Sequence, residues 1–380
     1  MSSSNTFDWV LPAAPGRVAD MRARLRAAHL PASAISGWEG GIDIGWLTGF
    51  AAFLADEYDW EADRGRFGAR HAMIPFDEAA GSSGRGGLHV ALPENPPADR
   101  LPVLLLHGWP SSGLEFAQVA ARLEQAGFYP VVADLPGFGF SAPTQVPAGP
   151  RQIAGIVRRA MEKGLGIGRF VVHGNDWGAT TAGWLATDHA DAVCGIHVSM
   201  MGLRPTFGPE TPRPDEAELA WIKTVQKKLA ADAGYREIQG THPNTLAVGL
   251  SDSPIGLAAW IAEKMHGWTG GGAEPAVPRQ DIAALVTAYW ISGAIPSANW
   301  IYRAVRENDE TAAPPGGTGD VPVALSFFGN GFFPPPPESW ARRVHDVVDY
   351  TTHPTGGHYP ALTVPAILSE DIERFAARFL

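Results

Sequence analysis

The 380-residue chain is long enough for one large α/β domain with an inserted subdomain or for two ordinary domains, and length alone does not choose between them. Hydrophobic residues make up 45% of the chain and charged residues 18%, which is the composition of a globular rather than a disordered protein. The formal net charge of -11 argues against a nucleic-acid partner or an anionic membrane surface, because both require a cationic face.

The cysteine content and the N-terminus bear on the cellular compartment. Cys194 is the one cysteine and lies in an apolar run, so no internal disulfide can form and a reducing compartment is expected. The N-terminal sequence MSSSNTFDWVLPAAPGRV lacks a basic stretch followed by an apolar one, and no segment has the ~20 apolar residues of a membrane-spanning helix. We therefore expect a cytoplasmic protein that contacts no membrane.

Strand and helix patterns alternate through the first half of the chain. Helical spacing of apolar residues predicts helices over 17–30 and 44–58, within an N-terminal region of residues 1–100 that also holds the first strands. After residue 101, short apolar runs alternate with helical patterns: strands 103–106, 129–133, 170–173 and 193–198, and helices 114–125, 153–163 and 179–189. The alternation is typical of βαβ units and predicts a mostly parallel sheet with helices on both faces.

The pattern changes near residue 201. Residues 202–311 read as helices, for example 215–231 and 282–291, joined by links rich in Gly and Pro. The strand signal returns at 321–328, and a helix over 367–379 closes the chain. We therefore predict a core formed by residues 101–201 and 312–380 and a helical lid over 202–311, which would cover the strand ends where open parallel sheets bind ligands.

A glycine-flanked carboxylate stands at the junction of a predicted strand and a predicted helix. Asp176 is the centre of Gly174-Asn175-Asp176-Trp177-Gly178, with a glycine two positions to either side. Such neighbours suit a nucleophile elbow, a sharp and strained turn that lifts its central side chain above the sheet. A carboxylate there would attack carbon and form an alkyl ester, whereas the usual serine forms an acyl-enzyme. The alternative is an aspartate that only caps the next helix, and the pattern alone does not decide.

Two further motifs favour catalysis. His107-Gly108-Trp109-Pro110 follows a predicted strand, where an oxyanion hole would take the backbone N–H of Trp109, and the residue after the nucleophile, Trp177, would supply the second N–H. His358 lies in a glycine-rich sequence before the last predicted helix. A nucleophile followed by a histidine in the last loop is the order of the α/β-hydrolase fold, which is our predicted fold class.

These motifs resemble the epoxide hydrolases of the microsomal and fungal type, which have the α/β-hydrolase fold and an aspartate nucleophile. The resemblance runs from about residue 30 to the C-terminus. Gly37-Trp38-Glu39 and Glu57-Tyr58-Asp59-Trp60 are similar to the N-terminal segment of that family, which wraps across the lid. HGWP, the DWG of the elbow and the GGH before Tyr359 resemble its active-site motifs, and the joint set is far more specific than any one of them.

The predicted lid extends the resemblance to a pair of tyrosines. Gly234-Tyr235-Arg236 and Trp300-Ile301-Tyr302-Arg303 are similar to the segments that carry the two lid tyrosines of the family, so Tyr235 and Tyr302 inherit that role by position. A phenol can donate a hydrogen bond or a proton to the epoxide oxygen at neutral pH while it is itself uncharged. Without the resemblance, each would be read as an ordinary half-buried tyrosine.

The acid that holds the histidine in this family has no counterpart here. The family places an Asp or Glu after the strand that follows the lid, but this strand is followed by Gly329-Asn330-Gly331. Asn330 could orient the ring of His358 in place of the acid, or Glu338 could reach it from beyond the proline run. The other position for the acid, Ser199-Met200-Met201 after the preceding strand, has no carboxylate either.

The resemblance implies an epoxide hydrolase that opens an epoxide to a vicinal diol through an ester on Asp176. The 13 tryptophans and 17 phenylalanines, several of them in the predicted lid, suggest an apolar pocket and a bulky hydrophobic epoxide. No cofactor or metal is required, since no P-loop, HExxH or paired Cys-x-x-Cys motif is present, and the spacing of His353 and His358 on one loop is weak support for a metal. His107 and His173 are read as structural. The expected partner is the small-molecule epoxide, in detoxification or secondary metabolism, with a homodimer left open.

Two other functions stay open at this point. Haloalkane dehalogenases resemble this chemistry, since they use the same kind of aspartate and hold halide with a neighbouring tryptophan, as Trp177 could. The tyrosine pair favours the epoxide, because a departing halide needs N–H donors and no proton source. The absent acid motivates a third reading, a binding protein or an enzyme that stalls at the ester.

Overall fold

The computed structural model describes residues 9–68, 70–76, 86–94, 100–208 and 211–380. Within these ranges one eight-stranded sheet has the order β1-β2-β4-β3-β5-β6-β7-β8. The strands are β1 Arg70–Pro75, β2 Gly87–Leu92, β3 Pro102–Leu106, β4 Tyr129–Ala133, β5 Phe170–Gly174, β6 Val193–Val198, β7 Pro322–Gly329 and β8 Asp346–Gly356. The pairings of β1 with β2 and of β2 with β4 are antiparallel, and all the others are parallel.

Helices precede the sheet, cover both of its faces and fill the connection between β6 and β7. The first group is α1 Pro15–Arg26, α2 Ile44–Asp56, α3 Trp60–Asp63, α4 Ala117–Gln125, α5 Pro150–Arg159 and α6 Trp177–Asp188. The connection holds α7 Glu216–Ala231, α8 Gly234–Thr241, α9 Pro243–Asp252, α10 Pro254–Gly267, α11 Arg279–Ser292, α12 Ile295–Ala298 and α13 Trp300–Asn308. The chain ends with α14 Glu338–Arg342, α15 Pro360–Thr363 and α16 Pro365–Ala376.

The central strands form because their side chains are apolar on both faces. β3 and β5 are buried over nearly their whole length, as expected for parallel strands covered by helices on each side. The predicted α/β-hydrolase fold class, with a mostly parallel sheet and helices on both faces, is confirmed. The predicted stretch 170–173 gains one residue, Gly174, which is the last residue of β5 before the elbow.

One prediction about the sheet was wrong. His353 was placed on a loop, but it lies in β8, the edge strand, which pairs along its length with β7. β8 escapes detection from sequence because most of its side chains are half-exposed or exposed, so the apolar run that marks a buried strand is missing. His353 Nε2 is 2.6 Å from Asp371 Oδ2 on α16, which accounts for this histidine without a metal.

The N-terminal segment and the helices α7 to α13 pack against each other. Arg17 on α1 donates to the carbonyl oxygen of Trp290 at 2.6 Å, and the indole of Trp290 donates back to the Arg17 carbonyl at 3.0 Å. The ring of Trp38 stacks on His266 of α10 with 3.7 Å between centroids. The N-terminal segment therefore wraps across this helical insertion, which we term the lid (α7 to α13).

Residues 1–8, part of the stretch in which no targeting segment is expected, lie outside the described ranges. Among the described helices, no single one is long and apolar enough to cross a membrane. The consecutive helices α9 and α10 meet that criterion only when taken together, and they are bent by 115° relative to each other.

An ion pair joins the start of the lid to the core. Glu218 on α7 is fully buried and receives two hydrogen bonds from the Arg343 guanidinium, at 2.9 and 2.7 Å. Its side chain also accepts the Asp215 backbone N–H in a capping box at the N-terminus of α7. The guanidinium lowers the pKa of Glu218 to about 2, so the carboxylate is ionised throughout the physiological range.

We predict that Glu218→Gln lowers the free energy of unfolding at pH 7 by about 2 kcal/mol, because a buried charge-assisted pair is lost. The folded-state pKa is depressed from 4.5 to about 2, so the contribution is full above pH 4.5 and decreases as the pH falls towards 2. Chemical denaturation at several pH values checks this. Glu338→Gln, which removes the exposed pair with Arg342, is the matched control and should change stability by less than ~0.5 kcal/mol. Equal losses in the two variants would contradict the prediction.

Candidate active site

A strained turn presents Asp176 between β5 and α6. Its backbone has φ 52° and ψ -125°, a conformation that residues other than glycine rarely adopt. The turn packs backbone against backbone: a Cβ on Gly174 would collide with the Gly178 carbonyl, and a Cβ on Gly178 would collide with the Leu106 carbonyl of β3. The two glycines are thus required by close packing, as in a nucleophile elbow.

The two carboxylate oxygens of Asp176 have different surroundings. Oδ1 accepts the backbone N–H of Trp109 at 2.9 Å, and Oδ2 is 3.2 Å from Nε2 of His358. Gly108 permits this approach, since a Cβ there would collide with the Asp176 side chain. One oxygen is therefore fixed by a backbone donor of the loop after β3, while the other faces the histidine and the cavity described below.

His107 holds the loop that carries Trp109. Its Nε2 accepts the Leu135 backbone N–H at 3.0 Å, so its proton lies on Nδ1, which donates to the Gly108 carbonyl at 3.0 Å. Burial lowers the pKa of His107, so the ring is neutral. The structural reading of His107 fits these contacts, and that of His173 fits its bond with His197 at 2.9 Å between the two Nδ1 atoms.

His358 follows β8 and is fixed by its backbone. Its N–H donates to the Trp268 carbonyl at 2.8 Å, and its carbonyl accepts Nδ2 of Asn175, the elbow residue next to Asp176, at 2.6 Å. The imidazole ring packs edge-to-face on Trp268, with 4.9 Å between centroids. The elbow and the histidine loop are therefore joined directly by Asn175, a contact that sequence reasoning missed.

The structure does not bring either proposed substitute for the acid to His358. Asn330 is exposed, has φ 65° and packs its Cβ against Gly270 outside the cavity, because the loop turns sharply after β7. Glu338 is also exposed and pairs with Arg342 at 2.6 Å. Within the described residues, the polar contacts of His358 involve its backbone and Nε2, and none involves Nδ1.

Gly331, in the same loop, lies beside the residue that precedes the histidine. It lines the cavity, and a Cβ built on it would lie 3.5 Å from the carbonyl carbon of Gly357, the residue before His358. The same Cβ would be 3.2 Å from the Phe328 carbonyl oxygen, so a side chain requires only a small shift there. Ser199, at the other position expected for the acid, donates to Oδ1 of Asn175 at 3.3 Å.

Tyr235 and Tyr302 both reach the cavity above Asp176. Tyr235 is in the first turn of α8 and Tyr302 is in α13, and their rings approach edge-to-face with 5.7 Å between centroids. Tyr235 stacks on the Trp109 indole at 5.2 Å, and Tyr302 packs edge-on against Trp177 at 5.1 Å. Burial, and then the charge of Asp176, raise the pKa of Tyr235, and burial also raises that of Tyr302, so both phenols are protonated at neutral pH.

A buried ammonium group also contacts Tyr235. Lys264 of α10 is 5% exposed and places Nζ 4.7 Å from the centroid of the Tyr235 ring, within cation–π range. Nζ pairs with Asp232 at 2.6 Å and Glu263 at 2.8 Å, and the second oxygen of Asp232 accepts the Trp268 indole N–H at 2.9 Å. Sequence reasoning missed this cluster, which fixes the tyrosine ring against Trp109.

A cavity of about 540 Å³ lies between the sheet edge and the lid. Its floor holds Asp176, Trp177 and His358, and its roof includes Tyr235 and Tyr302. Most of the other lining side chains are apolar: Met200, Met201, Leu203, Phe207, Trp221, Ile222, Val225, Leu229, Phe327, Phe328, Phe332, Phe333 and Trp340. The volume and the apolar walls are those of a site for a small hydrophobic molecule.

A buried glutamate behind the Trp109 loop was also missed. Glu115 is 3% exposed, and its Oε2 has no hydrogen-bond partner among the described residues. Burial, together with the charge of Asp176, raises the pKa of Glu115 to about 8, so the group is mostly neutral at pH 7. Its apolar sequence neighbours, Leu114 and Phe116, gave no sign that this glutamate faces inward. No group of His, Cys, Asp and Glu in the described part of the chain could hold a metal.

The elbow, the backbone donor facing it and the histidine after the last strand define an α/β-hydrolase-fold enzyme. A family model for the alpha/beta hydrolase fold matches residues 102–235, and one for the epoxide hydrolase N terminus matches residues 10–116. A Stigmatella aurantiaca protein named as a candidate epoxide hydrolase is 30% identical over 367 residues, which cover 93% of this chain and 80% of the relative. The chain belongs to the epoxide hydrolase family.

Other relatives agree with this assignment. Epoxide hydrolase 1 of Oryctolagus cuniculus is 26% identical over 88% of this chain and 80% of its own length. Among solved structures, the Aspergillus niger epoxide hydrolase superposes with a TM-score of 0.82 at 26% identity, covering 98% of this chain and 96% of that one. The juvenile hormone epoxide hydrolase of Bombyx mori, at 23% identity and a TM-score of 0.83, shares the fold over 98% of this chain and 94% of its own.

We predict that Glu115→Gln makes the protein progressively more stable than the parent as the pH rises from about 5 to 8. Folding raises the pKa of Glu115 from 4.5 to about 8. Above pH 4.5 this group is therefore ionised in the unfolded chain but neutral in the folded one, and this difference lowers the free energy of unfolding of the parent by on the order of a few kcal/mol at pH 8. Denaturation curves of both proteins across this range measure the difference. Glu124→Gln, on the exposed surface of α4, is the control, and a parallel pH dependence for Glu115→Gln and the parent would refute the prediction.

Proposed function

We propose that this protein hydrolyses hydrophobic epoxides to vicinal diols through a covalent ester on Asp176. The observation that supports this most is that the two oxygens of the Asp176 carboxylate have different surroundings. Oδ1 is bound by the Trp109 N–H, while Oδ2 faces the cavity roofed by the phenols of Tyr235 and Tyr302. A nucleophile on one side of the substrate and proton donors on the other are what an epoxide ring opening requires.

The first half-reaction forms the ester. Oδ2 of Asp176 attacks an epoxide carbon from the face opposite the C–O bond, a new C–O bond forms, and the old one breaks with its electron pair on the leaving oxygen. A phenol of Tyr235 or Tyr302 donates the proton that converts this oxygen to a hydroxyl. Both phenols carry that proton at neutral pH because burial raises their pKa values.

The second half-reaction releases the diol. His358 Nε2 takes a proton from a water that attacks Cγ of the ester, and the carbonyl oxygen becomes an oxyanion. That oxygen is Oδ1, already bonded to the Trp109 N–H, and the Trp177 N–H is the second donor of the proposed oxyanion hole. Collapse of the intermediate breaks the bond from Cγ to the alkoxy oxygen, and the imidazolium returns a proton to that oxygen, so the diol departs. The proton left on the Asp176 carboxyl group returns to the phenolate that the first half-reaction produced.

The orientation of the His358 imidazole determines how fast the second half-reaction is relative to the first. The first step uses no base, whereas the second requires a correctly oriented imidazole. Because no described residue bonds to Nδ1 of His358, packing on Trp268 and two backbone hydrogen bonds are what hold the ring. We infer that ester hydrolysis is the slower half-reaction in this chain.

One side chain of the cavity wall keeps a dehalogenase reaction as a second candidate. Trp177 lines the cavity, and its buried indole Nε1 lies beside the Tyr302 phenol. A halide leaving from the carbon attacked by Asp176 would need such an N–H donor. Chloride release from a chloroalkane, measured beside diol formation from styrene oxide, separates the two activities, and we expect only the diol.

We predict that the native chain turns over an epoxide such as styrene oxide and that Asp176→Asn does not. His358→Gln should accumulate a protein adduct with the mass of the added epoxide. The His358 variant can still form the ester but lacks the base that removes it. Intact-protein mass spectrometry after mixing reads this directly. His353→Gln, a histidine on β8 outside the cavity, is the control for loss of an imidazole.

Each outcome excludes a function. An adduct on native protein without release identifies an enzyme that stalls at the ester. Neither adduct nor diol across a panel of epoxides overturns the proposed hydrolysis and favours a binding protein. An adduct that persists in Asp176→Asn overturns the assignment of the nucleophile.

We further predict that Gly331→Asp accelerates hydrolysis of the ester by about tenfold or more, because this position lines the cavity beside Gly357, the residue before His358, and a carboxylate introduced there can accept the Nδ1–H. Gly331 does not have a left-handed φ, so the backbone tolerates the side chain. Stopped-flow measurement of adduct decay gives the rate. Asn330→Asp, one residue away and outside the cavity, is the matched control. Equal decay rates in both variants would contradict the role of position 331.

A further inference from the structure

The cavity lining holds more cationic than anionic side chains, although the protein as a whole is acidic. Its described lining contains one carboxylate, Asp176, and two guanidinium groups, Arg204 and Arg236, although the chain carries a net charge of -11. The nucleophile accounts for the carboxylate. Positive charge in an apolar cavity is costly to hold unless it has a partner.

The two arginines differ in their partners. Arg204 pairs with Asp309 at 2.6 Å at the surface, where its side chain is 53% exposed. Arg236 is only partly exposed and has neither a hydrogen bond nor an ion pair among the described residues. It also lies in the first turn of α8, directly after Tyr235, where the helix dipole opposes a positive charge. Neither the local helix nor a neighbouring side chain explains this cation.

The carboxylates nearest to Arg236 in sequence are occupied by other groups. Asp232 accepts from Lys264 at 2.6 Å and from the Trp268 indole at 2.9 Å, so both of its oxygens are used. Glu237 accepts from Arg306 at 3.0 Å on the exposed side of the lid. A positive group is therefore available at the wall of the cavity.

We propose that the substrate is the epoxide of a hydrophobic carboxylic acid and that Arg236 binds its carboxylate. This inference rests on the proposed epoxide hydrolysis and specifies its substrate class. A guanidinium pairs with a carboxylate through two parallel N–H donors, and burial against an apolar wall strengthens that pair. The aliphatic part of the substrate would pack against Trp221 and Val225 of α7 and against Phe332, which follows β7.

A single guanidinium favours a carboxylate over a phosphate monoester. A phosphate monoester carries up to two charges and several acceptor oxygens, and proteins usually meet it with a cluster of donors. Arg204, the other cation of the lining, is neutralised by Asp309. The one guanidinium of the described lining without a partner, that of Arg236, thus matches one carboxylate.

The test compares epoxidised oleic acid with its methyl ester, two substrates with the same reacting carbons. We expect the native protein to have a KM at least tenfold lower for the acid than for the ester. Arg236→Met should raise the KM for the acid by about tenfold. The KM of this variant for the ester, and its kcat for both substrates, should stay within twofold of the native values. Arg236→Lys should retain part of the preference. Arg306→Met, which removes an exposed arginine of the lid that pairs with Glu237, is the matched control and should retain all of it.

The outcomes separate this inference from the proposed function. Turnover of the ester with no preference for the acid, in both native protein and Arg236→Met, overturns the anionic substrate and leaves epoxide hydrolysis standing. Absence of turnover with either substrate overturns the proposed function. In that case, tryptophan fluorescence titration of native protein and Arg236→Met with decanoic acid and decanol decides the binding question, because only a carboxylate site prefers the acid and loses that preference with Arg236.

Discussion

The active site depends on the strained turn at Asp176. Positive φ at a residue other than glycine costs on the order of 1–3 kcal/mol, and the surrounding backbone must impose it. Gly174 and Gly178 allow stretches of main chain to approach so closely that the turn has no room to relax, and Gly108 leaves room for the Asp176 side chain. The carboxylate is consequently directed at the Trp109 N–H before any substrate arrives, which is the preorganisation that the proposed nucleophile and oxyanion hole require.

Trp109 connects this turn to the lid. Its N–H binds Asp176, its ring stacks on Tyr235 and meets the edge of Tyr302, and its indole N–H donates to the buried Asn299 of the lid at 3.1 Å. Asp176 and the two phenols are therefore held by the backbone and the ring of one residue, although they come from parts of the sequence far apart. A lid displaced from Trp109 would leave the proposed proton donors without a fixed distance to the carboxylate.

The sequence predicted the elements whose pattern is local. Strands β3 to β7 are continuous apolar runs, and the elbow has glycines at fixed offsets, so both could be identified without a structure. β8 is a polar edge strand with no such run, and His353 was misplaced for that reason. Glu115, Lys264 and Asn175 could not be identified, because their burial and their partners result from contacts between distant segments. Asn330 was the wrong candidate beside His358, because the tight turn after β7 directs its side chain outward and leaves Gly331 at the cavity.

The central claim is that a carboxylate oxygen of Asp176 becomes an oxygen of the diol. A single turnover in water enriched with oxygen-18, with enzyme in excess over epoxide, tests it directly by mass spectrometry of the diol and of the peptide that contains Asp176. The account predicts an unlabelled diol and one heavy oxygen in the Asp176 carboxylate, because water attacks Cγ rather than the epoxide. A diol that carries the heavy oxygen after the first turnover, with Asp176 unlabelled, would show direct attack of water and contradict the account.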